Sequence, residues 1–214
     1  MIERILALVI GYIFGNFIAG NVICKIKHVD VTKMGSGNPG ATNINRTLGP
    51  GWGLLTLFLD ALKVWIAAIV VAGLIGDGIC YTQFNYILVA YTAIGAVIGN
   101  NFPIPIQKGG KGVSATTGAM ILLDWRIFII CLLVFVLVVA ITKYVSLASM
   151  LASVTMLGAW IIFYLCGILH MAQETIIESV ILIAILTLLV FQRHKENIVR
   201  LKNGTENKFS VKRR

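Results

Sequence analysis

Long apolar runs alternate with short polar segments along almost the whole chain. The runs lie near 4–25, 52–75, 83–101, 112–123, 126–142, 147–168 and 174–192. Most approach the roughly 20 consecutive apolar residues that a helix needs to cross a bilayer. The pattern predicts an all-α, polytopic membrane protein of about seven transmembrane helices. The fourth run is short and follows Gly109, Gly110 and Gly112. That spacing predicts a helix that begins inside the membrane depth, where irregular backbone is tolerated only against protein or a wet cavity. The last run gives way at Arg193 to a polar, basic stretch. The expected organisation is therefore one transmembrane domain over 1–192 and a basic tail over 193–214.

Composition strengthens this reading. Of 214 residues, 58% are hydrophobic and 13% charged, against about 25% charged in soluble domains. Mean hydropathy is +0.89. One soluble core cannot hide so much apolar surface. The stretch from Ile5 to Cys24 has no basic leader and no small-residue cleavage pattern, so it reads as a permanent first span. Cys24, Cys80, Cys131 and Cys166 lie in or beside apolar runs without a C-x-x-C pair, which fits small apolar helix residues rather than a disulfide or zinc framework.

Charge supplies an orientation. With seven spans, segments 25–51, 102–111, 143–146 and 193–214 share one side and hold all but three of the 18 lysines and arginines. Arg4 and Arg126 fall on the other side, and Lys63 lies within a span. The positive-inside rule makes the basic side cytoplasmic, with the N-terminus outside and the C-terminus inside. The basic residues coincide with the loops that topology requires, so nucleic-acid binding is not indicated. The far tail suits contact with anionic membrane lipids, at about 1 kcal/mol per basic residue near the surface.

Four polar stretches on that side carry candidate chemistry. In the first, Gly35-Ser36-Gly37-Asn38-Pro39-Gly40-Ala41-Thr42-Asn43 followed by Arg46, glycine backbone N–H groups can point into one concavity and bind an anion. Ser36, Thr42 and Asn43 add neutral donors, and Arg46 offers a planar fork for phosphate oxygens. An ordinary turn-rich loop is the alternative. In the second, Lys108-Gly109-Gly110-Lys111-Gly112-Val113-Ser114 precedes a helix start, another anion-binding arrangement; a hinge beside topology-setting lysines is the alternative. It is not a Walker A loop, because Gly112 follows Lys111. The third, Lys143-Tyr144-Val145-Ser146-Leu147-Ala148-Ser149, also suits plain interfacial anchoring. In the fourth, Arg193-His194-x-x-Asn197-x-x-Arg200, helical spacing predicts an imidazole, an amide and a guanidinium on one face of a continuing helix. Four donor-rich loops on one membrane face point to one shared phosphate site.

Other chemistries leave weaker traces. Asp60 and Lys63 sit three apart inside the second span, placed either as a tie across the bundle or as a site wall. His170 and Glu174 make half a metal site with no third ligand nearby. No histidine begins an H-x-x-x-x-D motif, since Lys33, Thr175 and Val199 stand five positions after His28, His170 and His194. The aspartate-rich motif of CDP-alcohol phosphotransferases is absent too.

At these stretches the sequence resembles the bacterial membrane-embedded acyl-phosphate:glycerol-3-phosphate acyltransferase family. The strings that carry it are GSGNPGATNINR at 35–46, KGGKGV at 108–113, KYVSLAS at 143–149 and RHKENIVRLKNGTE at 193–206, with LDALK at 59–63. The resemblance implies a seven-span bundle in the bacterial plasma membrane with its site on the cytoplasmic face. It implies transfer of a fatty acyl group from acyl phosphate to the 1-hydroxyl of glycerol 3-phosphate, giving lysophosphatidic acid and phosphate with no cofactor or metal. The enzyme that supplies acyl phosphate becomes an expected partner. His194, Asn197 and Ser146 are then the expected catalytic residues. Ser36, Gly37, Asn38, Gly40, Thr42, Asn43, Arg46, Lys108, Gly109, Gly110, Lys111, Gly112, Ser149 and Arg193 are the expected phosphate holders. Two segments depart from the family pattern. Asn16-Phe17-Ile18-Ala19-Gly20 stands where Ser-Ile-Pro-Phe-Gly is common, and Gly99-Asn100-Asn101-Phe102-Pro103 where Gly-His-x-Phe-Pro is common. An anionic-solute transporter or channel and a noncatalytic paralogue that binds lipid precursors are the competing classes; a transporter would be expected to show an internal repeat and mid-bilayer polar groups.

Overall fold

The computed structural model describes residues 1–75, 83–104, 108–169 and 173–209. Cys80, His170 and the terminal Lys212, Arg213 and Arg214 lie outside the described residues. Among those described, the chain is helical without strands. Its helices are α1 (Ile2–Gly15), α2 (Ala19–Ile26), α3 (Ala41–Leu48), α4 (Pro50–Ile75), α5 (Gln83–Asn101), α6 (Val113–Leu123), α7 (Trp125–Thr142), α8 (Val145–Leu165), α9 (Gln173–Arg193) and α10 (Lys195–Lys202), with a 3-10 turn at Val31–Lys33. Ile2–Ile26, Pro50–Ile75, Trp125–Thr142, Val145–Leu165 and Gln173–Arg193 are long and apolar enough to cross a membrane. Tyr86–Asn101 and Val113–Leu123 are shorter apolar helices.

Helix α5 is the centre. Ile87, Ala90, Ala93, Ile94, Ala96 and Val97 are buried, and α1, α4, α6 and α9 pack around it. The closest approach is to α1, where Gly11 and Gly15 lie on the backbone of Thr92 and Ala96, while Gly95 and Gly99 lie on that of Leu8 and Tyr12. Any Cβ at these glycines would meet backbone, so small residues at four-residue spacing let the two helices touch, as membrane helix pairs commonly do. The opposite surface is oily. Leu54, Phe58, Ile69 and Leu74 of α4 and Leu133, Leu137 and Ile141 of α7 are exposed, as expected of faces solvated by lipid. Away from the glycine loops, Arg4 donates to both carboxylate oxygens of Glu178 at 2.6 and 2.8 Å, and Tyr91 adds a bond to the same carboxylate. This ties α1, α5 and α9 together.

The first predicted span is not one continuous helix. It breaks between Gly15 and Ala19, leaving carbonyls at the end of α1 and N–H groups at the start of α2 without helical partners. The pair on α4 fills that need. Lys63 Nζ donates to Phe17 O at 2.7 Å and to Gly15 O at 3.4 Å, while Asp60 Oδ1 accepts from Ala19 N at 3.4 Å. Lys63 and Asp60 also bond each other at 2.9 Å, and each is 3% exposed. A cation at a helix C-terminus and an anion at an N-terminus both suit the helix dipole. Of the two roles expected for this pair, the tie across the bundle is the one these contacts describe.

The polar stretches also differ locally from expectation. Residues 41–48, read from sequence as part of a glycine-rich loop, form α3. Gly40 adopts extended backbone as its N-cap, and buried Ile44 packs with Ile23, Cys24 and Val31. At the other end the last span does not run straight into the tail. His194 sits in the joint between α9 and α10, so the face carrying His194, Asn197 and Arg200 belongs to a bent pair of helices rather than a continuing one.

Candidate active site

The first loop is built by its own polar residues. Gly35 and Gly37 take φ of +58° and +66°, a region open to glycine and costly for other residues. Asn43, buried at the first turn of α3, accepts from Ser36 N at 2.9 Å and donates to Met34 O at 3.0 Å. Asn38 Oδ1 accepts from Gly40 N at 2.8 Å. Asn43 therefore spends its amide closing the loop, and Asn38 spends its oxygen on the α3 cap. The hydroxyls of Ser36 and Thr42 and the guanidinium of Arg46 make no hydrogen bond to protein among the described residues. The Arg46 stem passes Gly35, with Cδ 3.6 Å from where a Cβ on that glycine would sit.

The second loop lies against the first. Lys108 Nζ stands 3.2 Å from the place of a Cβ on Gly37, and Lys108 O accepts from Asn21 of α2 at 2.9 Å. Gly109 and Gly110 are pressed onto Asn101 and Asn100 at the end of α5, where Gly110 N donates to Asn100 O at 2.7 Å. Gly112, at φ +72°, starts α6. Larger residues at these three positions would strike α5. Lys108 thus brings the second expected cradle against the first at Gly37.

Helices α9 and α10 close the next side. Arg193 Nε donates to Gly110 O at 3.1 Å, and its guanidinium lies 5.3 Å from the Phe102 ring centre. Lys111 Nζ donates to Asn197 Oδ1. Burial, then the positive charge of Arg200, lowers the Lys111 ammonium to about 8. His194, 3% exposed, holds Nδ1 2.7 Å from Val190 O. A carbonyl can only accept, so Nδ1 carries the proton and Nε2 keeps its lone pair. Burial, then Lys111, pushes His194 down to about 4, leaving it neutral at pH 7. Its imidazole can accept a hydrogen bond from a hydroxyl without first losing a proton.

One residue of the site was not singled out from the sequence. Glu206, beyond α10, folds back and accepts from Ser146 Oγ at 2.8 Å, Asn197 Nδ2 at 2.7 Å and Arg200 Nε at 2.8 Å. Burial alone would raise its carboxyl, but these bonds outweigh burial and hold it below the ordinary range. Its signal in the sequence was one of only two acids, with Glu196, in a basic stretch already rich in donors. Ser146 and Asn197 are brought to the site, each tied to this carboxylate. Ser149, one turn further along α8, donates back to Val145 O at 2.9 Å. Phe209 N donates to Lys143 O at 2.7 Å, which lays the tail across the α7–α8 turn. Among the described residues no cluster of His, Cys, Asp and Glu could hold a metal.

The sequence model for glycerol-3-phosphate acyltransferase matches residues 5–204. A glycerol-3-phosphate acyltransferase of Thermotoga petrophila is 40% identical over 208 residues, covering 96% of each chain. Another, of Clostridioides difficile, is 37% identical over 215 residues, covering 98% of this chain and 97% of its own. The crystal structure of PlsY (YgiH), an integral membrane glycerol 3-phosphate acyltransferase, is similar in its glycerol 3-phosphate form with a TM-score of 0.80 at 30% identity. The likeness covers 97% of this chain and 96% of that one. The lysophosphatidic acid form gives a TM-score of 0.78 over the same shares.

Proposed function

Because the chain belongs to the glycerol-3-phosphate acyltransferase family, we propose a membrane enzyme that acylates the 1-hydroxyl of glycerol 3-phosphate with acyl phosphate as donor. The product of acyl transfer to glycerol 3-phosphate is lysophosphatidic acid. The observation that carries the reading is a continuous set of contacts through all four polar stretches. Gly37 meets Lys108, Lys111 and Gly110 meet Asn197 and Arg193, and Asn197 meets Ser146 through Glu206. Two glycine-rich cradles suit two phosphate-bearing substrates.

In the mechanism that follows, Arg46, Lys108, Ser36 and Thr42 hold one phosphate, and the 108–112 backbone with Lys111 and Arg193 holds the other. The substrate hydroxyl donates toward His194 Nε2 and attacks the acyl carbon. The bond from that carbon to the phosphate oxygen breaks, and inorganic phosphate leaves. The departing phosphate or His194 takes the hydroxyl proton. Acyl phosphate is already activated, so positioning and electrostatic stabilisation supply most of the acceleration. Asn197 and Ser146, both held by Glu206, set the wall that faces the reacting groups. Seven spans, with the site on the cytoplasmic face of a bacterial plasma membrane, complete the proposal. The exposed Lys33, Lys195, Lys202 and Lys208 at the same end suit contact with anionic lipid and with the enzyme that delivers acyl phosphate.

The test is acyl transfer by purified protein with labelled glycerol 3-phosphate. Lysophosphatidic acid should form from acyl phosphate without added metal or nucleotide. Strict dependence on acyl-coenzyme A, or no product from either donor, would overturn the donor assignment.

A further inference from the structure

The shortest hydrogen bond of buried Lys63 is not one that the break in the first span requires. Lys63 Nζ donates to Asn100 Oδ1 at 2.6 Å. An ammonium has three protons, and Asp60 Oδ1, Phe17 O and Gly15 O already stand at 2.9, 2.7 and 3.4 Å. The Asn100 contact is a fourth, and it leads elsewhere. The same residue accepts from Gly110 N through its backbone at 2.7 Å. Its Nδ2 lies 2.5 Å from where a Cβ on Gly110 would sit. Gly110 O in turn accepts from Arg193.

The other partner of the pair leads to the first cradle. Asp60 receives Ala19 N at the start of α2. One residue on, Gly20 is pressed against the Pro39 backbone of the 35–40 loop, so closely that a Cβ there has no room. The two cradles are therefore referenced to one buried ion pair, the first through α2 and the second through Asn100. Asn100 is 4% exposed and packs against Gly110.

From this we infer that Asn100 is a positioning residue for acyl transfer, fixing the 108–112 loop to the Lys63–Asp60 pair and thereby its distance from the 35–46 cradle. The inference rests on the proposed acyltransferase reading for its kinetic consequence, though not for its structural one. A loosened 108–112 loop holds its phosphate less well in ground and transition states alike, which raises KM for that one substrate.

The experiment compares wild type, Asn100→Leu, which keeps bulk but loses the amide, and Asn100→Asp, which keeps the acceptor oxygen. Since Lys63 retains three acceptors, the leucine variant is expected to fold. If it is not recovered from membranes, Asn100→Ser serves in its place. Hydrogen exchange read by mass spectrometry should show 108–112 exchanging at least about tenfold faster in the leucine variant, with 35–46 unchanged. In the transfer assay, KM for one phosphate substrate should rise at least about tenfold while the other stays within about twofold. Asn100→Asp should restore both readouts. Partial misfolding would instead lower kcat with both KM values intact. That pattern, or wild-type exchange and kinetics in the leucine variant, overturns the inference. If wild type itself makes no product from acyl phosphate, the donor assignment fails while exchange at 108–112 still decides the role of Asn100.

Discussion

Glu206 gives the sharpest test of how the tail closes the site. Its side chain is 6% exposed and accepts from Ser146, Asn197 and Arg200. Glu206→Ala removes all three acceptor contacts and leaves Arg200 without its closest acid. Hydrogen bonds to a charged group contribute about 1.5–3 kcal/mol each when buried. Arg200 is 29% exposed, so water recovers part of its loss. The low end of that range for the Ser146 and Asn197 bonds alone gives a net cost of about 3 kcal/mol. For a chain of this size, each kcal/mol lowers Tm by about 2–4 °C, which gives a fall of about 6–12 °C in detergent. Glu206→Gln keeps an oxygen for Ser146 and Asn197 but turns an amide toward Arg200, so its loss should be smaller, about 1–2 kcal/mol. The pH dependence has a definite sign. The folded carboxyl lies below its ordinary value, so its contribution is complete above about pH 4.5 and is lost as pH falls through the folded value. The Tm gap between wild type and Glu206→Gln should narrow below about pH 4.5. Thermal unfolding followed by intrinsic fluorescence reads both effects. A Glu206→Ala protein melting within about 2 °C of wild type would refute the clasp.

Arg46→Ala should raise KM for glycerol 3-phosphate if Arg46 binds ground and transition states alike, and Arg46→Lys should recover little because the planar fork is gone; full activity in both variants counts against the first cradle. His194→Ala should lower kcat by about 10²–10⁴ if Nε2 takes the hydroxyl proton as a positioned base, and an unchanged kcat removes His194 from the chemistry. Because folding holds His194 near 4 against 6.5, its contribution to stability is complete above pH 6.5. As pH falls toward 4, about 3 kcal/mol is lost; His194→Gln should therefore unfold less steeply with acid, and an equal slope in acid titration contradicts the burial argument. A reporter fused after Arg214 should read cytoplasmic and one at Asp77 outside, both positions lying outside the described residues; the opposite result at either would separate the polar stretches across the membrane.

The helices were legible where one simple pattern governs. The runs at 52–75, 126–142 and 174–192 become α4, α7 and α9 within a residue or two, because lipid demands unbroken apolar length. The break in α1 was not legible, since its cause lies outside the segment. Gly15, Asn16 and Phe17 are tolerable inside a helix, and it takes Lys63 and Asp60, more than forty residues on, to stabilise the interruption. Helix α3 was hidden for another reason. Glycine and asparagine density over 35–43 favours turns, while the packing that holds α3, Ile44 against Ile23, Cys24 and Val31, comes from residues outside the stretch. The polar stretches were visible as donor-rich letters, but not which donors stay available. Asn43 and Arg46 read alike as phosphate groups; the fold spends the first on its own loop and leaves the second unpaired.

The asparagine at 100 shows how far a departure in one letter can be interpreted without its surroundings. From sequence, losing a histidine there suggests losing a titrating group from the chemistry. In the structure the position packs against Gly110, with its oxygen on Lys63 and its carbonyl on the loop. What the position requires is an acceptor for a buried ammonium and a shape that fits against a glycine. Asparagine supplies both without adding a proton equilibrium to a site already crowded with Lys111, Arg193 and Arg200. Proton handling is then left to the substrate phosphates and His194, and the protein's own task becomes geometric. That explains why so many polar residues here bond to backbone or to one another, and why so few carboxylates are present: each acid that appears, Asp60 or Glu206, holds a piece of backbone or a helix in place.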